Sequence, residues 1–168
     1  MDSKTKKIVL IASTALIIIT AISLFYSINI TKNFESKTGA YFCKLEIINE
    51  GNRNVYTWDI GIAKNDTKSG IIENESNGGS LEKFRGTVGG ITRKRFEVFL
   101  VILYLIFILI IFAAVQKDSQ ILKNESNKKS FQLFITLLII FLIYKISISF
   151  FELSGLYKDI NFYFSLIS

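Results

Sequence analysis

The run "FEVFLVILYLIFILIIFAAV", residues 96–115, constrains this chain more than any other feature. It holds one charge, Glu97, at its mouth and is apolar from there on, so no soluble surface helix can be made of it. Two further runs share its character. Residues 8–30 reach about 34 Å as a helix at about 1.5 Å per residue, enough to cross a hydrocarbon core of about 30 Å. Residues 131–151 carry Gln132 and Thr136 near their start and Lys145 toward their end, and are still apolar enough to cross. Half the residues are hydrophobic and the mean hydropathy is +0.40, which places the chain in lipid. The expected fold is therefore a mainly α membrane protein: three transmembrane helices, with a small extracytoplasmic loop containing a β-hairpin between the first and second.

The first run also reads as a signal peptide. Lysines precede it and Ala21-Ile22-Ser23 offers a small-residue cleavage site, although Leu24, Phe25 and Tyr26 prolong the apolar stretch. Either reading leaves the sides of the other segments unchanged.

The formal charge of +6 sits mainly at the ends of apolar runs. Lys4, Lys6 and Lys7 precede the first, Arg93, Lys94 and Arg95 the second, and Lys128 and Lys129 the third. Such clusters orient and anchor spans, and no nucleic-acid motif accompanies them. Residues 1–7 and the short basic loop 116–130 are expected in the cytoplasm. The loop 31–95 is long enough to escape the positive-inside rule and is expected outside, in a plasma or cell membrane.

That loop has an order of its own. Tyr41, Cys43, Leu45 and Ile47 alternate with Phe42, Lys44, Glu46 and Ile48; after a polar stretch, Tyr56, Trp58, Ile60 and Ile62 alternate with Val55, Thr57, Asp59, Gly61 and Ala63. Period two in both segments predicts a β-hairpin over 41–63. Residues 64–80 read as a polar loop, and 81–92 as a weak strand around 84–88 broken by Gly86, Gly89 and Gly90. The tail 152–168 is expected to lie outside or in the interface, or to begin a fourth span.

The chemistry on offer is narrow. Histidine is absent, and Cys43 is the only cysteine, so an intrachain disulfide is excluded and a structural zinc site lacks its usual ligands. The apolar runs hold no Asp, and no Glu away from a mouth, whereas intramembrane acid–base chemistry needs ionisable groups at depth. GxSxG, HExxH, CxxC and phosphate-loop patterns are lacking. No glycine or proline interrupts the spans, so they offer no unwound binding site of the kind carriers use. These features predict a protein that is not an enzyme and takes no cofactor or metal.

Contact is the expected mode of action, with the lipid bilayer and either a membrane-protein partner or further copies of the chain. Tyr41, Tyr56 and Trp58 place large amphipathic rings on a hairpin too small to bury them alone, and are the candidate partner-binding residues; packing on the chain's own helices or on lipid is the competing reading. Lys145 is the fourth candidate. Its stem can carry the ammonium toward the headgroups, or it can meet a carboxylate of a partner helix. Ser13, Thr14, Thr20 and Ser23 would line a pore if the first span oligomerised, yet hydroxyls in membrane helices more often bond to their own backbone. Four sequons occur, at Asn29, Asn65, Asn74 and Asn124; only Asn65 and Asn74 are external and clear of the membrane, and are the candidate N-glycosylation sites.

In layout, the order of span, stranded outer loop, span, short basic inner loop and span resembles the claudin-like four-pass proteins. Gly39-Ala40-Tyr41-Phe42-Cys43 is similar to the Gly-Leu-Trp and cysteine signature of that family's outer loop, but a second cysteine is missing, the tryptophan stands at Trp58 and the fourth span is absent or cut off after Ser168. The resemblance covers order rather than motifs and implies an adhesion, barrier or accessory-subunit role. A small oligomeric channel, or a membrane-resident immunity or toxin-related factor, is the alternative.

Overall fold

A computed structural model describes residues 3–30, 35–50, 53–63, 66–117 and 125–167. The fold is mostly helical with one small antiparallel sheet. Its elements run α1 (Ser3–Ile30), β1 (Glu35–Thr38), β2 (Tyr41–Glu50), β3 (Arg53–Ala63), β4 (Asp66–Ile72), α2 (Gly78–Lys117) and α3 (Glu125–Leu166). Two compact units divide the chain: Met1–Tyr26 with Glu97–Phe150, and Ser27–Phe96 with Phe151–Ser168.

The second unit is a sheet covered by helix. Its strands form a meander in the order β1-β2-β3-β4, each pair antiparallel. The long ladder from Phe42↔Gly61 to Glu50↔Arg53 is the hairpin that the alternation in 41–63 predicts. Cross-strand partners share a face, so Cys43 with Ile60 and Leu45 with Trp58 point the same way. On that face the core assembles: Cys43, Trp58 and Ile60 from the sheet, Leu81, Phe84, Val88 and Ile91 from α2, Leu153, Ile160 and Phe164 from α3, and Ile167 just beyond it. Each large apolar side chain fully withdrawn from water here is worth about 1.5–3 kcal/mol, so this cluster accounts for much of the unit's cohesion.

The sheet is larger than the sequence pattern predicts. β1 joins it through the two-residue turn Gly39-Ala40, where Gly39 adopts φ 64°, the left-handed conformation that such a turn requires at its first central position. β4 occupies part of the expected polar loop 64–80. Its ladder with β3 slips between Trp58/Ile60 and their partners Ile71/Lys68, and the extra residue is absorbed with Gly70 at φ 69° and its N–H donating to the Asp59 carboxylate at 2.9 Å.

Residues 81–92 are helix, not strand. Leu81, Phe84, Val88 and Ile91 recur at helical spacing and all are buried, so a continuous apolar stripe meets the sheet. Burial of that stripe outweighs the roughly 1 kcal/mol each that glycine costs within a helix. Residues 152–166 continue α3, because Leu153, Ile160 and Phe164 form a buried stripe of their own.

In the first unit lie the apolar stretches of α1, α2 and α3. Two helices, Gly78–Gln116 and Lys128–Leu166, are long and apolar enough to cross a membrane; only 6% and 11% of their most apolar windows are buried. In α1, Ser13–Ser23 is a shorter apolar segment among the described side chains. Thr14 and Thr20 donate to the carbonyls of Leu10 and of Leu16 and Ile17, so both hydroxyls are satisfied within their own helix.

Candidate functional site

The four residues proposed to contact a partner fall in different environments. Trp58 is buried, 1% exposed, and its indole N–H donates to Glu73 Oε2 at 2.9 Å, with Arg85 near the ring face. It is a core residue, and its reading as an exposed anchor is corrected: α2 supplies the cover that a bare hairpin lacks. Tyr41 is half-buried, its ring 5.6 Å from that of Tyr157 on α3. Tyr56 alone of the three rings is exposed, at 39%, paired with Ile47 toward the far end of the hairpin. Ile48 and Ile72 are exposed on the neighbouring strands, so apolar surface concentrates at that end.

Lys145 finds its carboxylate within its own chain. Its Nζ lies 3.4 Å from Glu97 Oε1 in the first unit, so a carboxylate from another protein is not needed to compensate it. Glu152, further along α3, pairs with Lys94 at 2.6 Å in the second unit. Ser149, between them in sequence, is fully buried, and its hydroxyl has no hydrogen-bond partner among the described residues.

Asn74 organises the entry to α2. Its Oδ1 accepts from the N–H of Ser76 and of Asn77 and from the Ser76 hydroxyl, at 2.9, 3.1 and 2.6 Å. Asn77 in turn accepts from the Asn74 N–H and donates to the Ile72 carbonyl, locking the end of β4 to the first turn of the helix. Asn74 is exposed, as a modification acceptor must be. Asn65 lies outside the described residues.

At the opposite end of α3, Lys68 of β4 donates to the carbonyls of Phe164 and Ile167 and stands over the Phe164 ring. A cation there satisfies carbonyls left open by the ending helix and complements its dipole.

Beside the β1–β2 turn a cavity of about 480 Å³ is lined by Lys37, Gly39, Ala40, Phe42 and Ala63. On the helix side of the same turn, a Cβ on Gly39 would meet Arg95 Nη1 at 3.4 Å. The Arg95 guanidinium is aimed by the Tyr157 hydroxyl, to which Nε donates at 2.8 Å, and by a longer contact to Thr38 Oγ1 at 3.4 Å.

Cys43 is buried in the core, and burial pushes its thiol from the ordinary value of 9.0 to about 12. At neutral pH burial keeps it in the protonated form, the less reactive state of a thiol. Among the described residues, no group of three or more Cys, Asp or Glu could hold a metal ion.

Arg95, Glu73, Glu97 and Lys68 went unmarked as site residues in the sequence reading. Glu97 carried a signal, being the sole charge in its apolar run; the others depend on tertiary register. Comparison with family models, curated proteins and solved structures finds no match for this chain.

Proposed function

We propose that this chain is a three-span integral membrane protein of the plasma or cell membrane that works by contact, as an accessory subunit or surface interaction protein, without enzymatic chemistry of its own. The observation that carries the reading is the bareness of its apolar helices. A stretch such as 96–115, with 6% of its most apolar window buried by the chain itself, needs lipid or another membrane protein around it. The first apolar run, 8–30, supplies the third span. Lys4, Lys6 and Lys7, with the basic loop 116–130, hold the amino terminus and the second connection in the cytoplasm and leave the sheet outside.

Contact with a partner then falls to the end of the hairpin, where Tyr56 and Ile47 are exposed while Tyr41 and Trp58 are held by the chain's own helices. The test is protease protection in sealed right-side-out vesicles, followed by extraction in mild detergent. Cleavage within 31–95 from outside, together with a stable larger membrane complex that Ile47→Ser with Tyr56→Ser dissolves, supports the reading. A shielded sheet segment removes the topology. A chain that travels alone and conducts ions in planar bilayers removes the contact role in favour of a channel.

A further inference from the structure

The face of the sheet turned away from the core carries the cavity at the β1–β2 turn. Register sets Lys37 opposite Phe42, and Phe42 opposite Gly61. Cross-strand partners share a face, and Ala63, two residues beyond Gly61, returns to it. Cys43 and Ile60, one residue along each strand, point the other way into the core. At about 480 Å³ the cavity falls within the range of roughly 300–1,000 Å³ that small-molecule sites occupy.

Gly61 fixes one wall. A Cβ there would collide with Phe42 Cε1 and Cδ1, so the ring lies over bare Gly61 backbone. Gly39, Ala40 and Ala63 add little bulk around it, and Lys37 is the single charge in the lining. Lys37 is exposed on β1, and no carboxylate pairs with it among the described residues. The carboxylates of this face gather instead around Lys44: Glu46 pairs with it, and Glu35 and Asp59 are its register partners on either side.

We propose that this cavity binds a fatty acid, with the carboxylate on Lys37 and the alkyl chain laid over Phe42 between Ala40 and Ala63. A single ammonium suits a monoanion, which accepts a charge-assisted hydrogen bond from it. Methylenes withdrawn from water against the ring and the alanine methyls supply the rest of the affinity. The carboxyl end of a peptide carries the same charge, but its backbone amides would leave water for walls whose side chains, Lys37 apart, offer them no partner.

Octanoate and octanol have the same chain length and differ in charge. Each is titrated by calorimetry into the full chain held in phosphatidylcholine bilayer discs, with the heat of empty discs subtracted. Octanoate is expected to bind about fivefold more tightly than octanol, and Lys37→Gln to abolish that difference. Ala63→Leu, at an exposed position, fills the cavity and is expected to weaken both ligands about tenfold. Lys44→Gln removes a lysine from the same face outside the cavity and is expected to leave both affinities unchanged.

Equal affinity of the parent for the two ligands overturns the proposal. So does octanoate binding that survives Lys37→Gln and Ala63→Leu, or that Lys44→Gln weakens as much as Lys37→Gln does. Acetyl-leucyl-phenylalanine bound more tightly than octanoate, with the same dependence on Lys37, overturns the fatty-acid assignment in favour of a peptide terminus. None of these results depends on how many helices cross a bilayer, so failure here and failure of the protease-protection experiment are separate.

Discussion

Lys145 Nζ stands 3.4 Å from Glu97 Oε1, joining the two helices that carry the second and third apolar runs. In water a pair this exposed would contribute about 1 kcal/mol or less. At the edge of a span, leaving one charge uncompensated costs more, several kcal/mol at depth and less near the headgroups. Glu97→Gln is therefore expected to destabilise the chain by about 1–3 kcal/mol in lipid, and Lys145→Met in that background to restore most of the loss. Unfolding in bilayer discs measures both. Equal stability of Glu97→Gln and the parent would show that Lys145 reaches the headgroups unaided.

How much of this was legible beforehand differs by element. The hairpin was, because period two survives in both its strands whatever packs on them. The first half of α2 was not: Gly86, Gly89 and Gly90 weaken its local signal, and the stripe of Leu81, Phe84, Val88 and Ile91 becomes favourable only against the sheet. The helical form of residues 152–166 went unread for the same reason, since Leu153, Ile160 and Phe164 count as a helical face once a core exists to receive them. Pairings such as Lys145 with Glu97 and Arg95 with Tyr157 depend on the register of two antiparallel helices, which no local pattern encodes. Of the candidate contact residues, residue type identified all three rings, but only tertiary packing separates exposed Tyr56 from buried Trp58.

Trp58 is the chain's single tryptophan, so its fluorescence reports one site. Buried at 1% exposure and bonded to Glu73, it is expected to resist quenching by acrylamide in the native protein and to yield on unfolding. Trp58→Ala should cost about 3–5 kcal/mol through the cavity it leaves. Trp58→Phe retains much of the volume but strips Glu73 of its donor, costing about 1–3 kcal/mol. Quenching as strong as that of free indole would place the ring on the surface and return it to the contact residues.

Cys43 supplies a pH test. Burial, the dominant cause, raises its thiol to about 12 from an ordinary value of 9.0, with nearby Arg85 pulling it down and Glu82 pushing it up. Below pH 9.0 both folded and unfolded chains keep the proton, and the contribution to stability is whole. As pH rises from 9.0 toward 12 the unfolded thiol ionises first, so stability falls through that window. Cys43→Ala is expected to lessen the decline, and the native thiol to react with disulfide reagents only at the rate of unfolding. Rapid native labelling at pH 8 would contradict the burial.

Asn74 has two separable roles, one structural and one chemical. Its Oδ1 accepts from the Ser76 and Asn77 backbones at the start of α2, a local device whose loss costs about 0.5–2 kcal/mol. Its exposed amide, in the sequence Asn74-Glu75-Ser76, is also an acceptor for N-glycosylation if the sheet faces a glycosylating compartment. Asn74→Asp keeps the acceptor oxygen and removes the amide; Asn74→Ala removes both. In a eukaryotic secretory host, the parent is expected to show a glycosidase-sensitive gel shift that both variants reduce, while only Asn74→Ala lowers the melting temperature. A shift that persists unchanged in Asn74→Asp would assign the glycan elsewhere, and equal melting of all three chains would deny Asn74 its part in starting the helix.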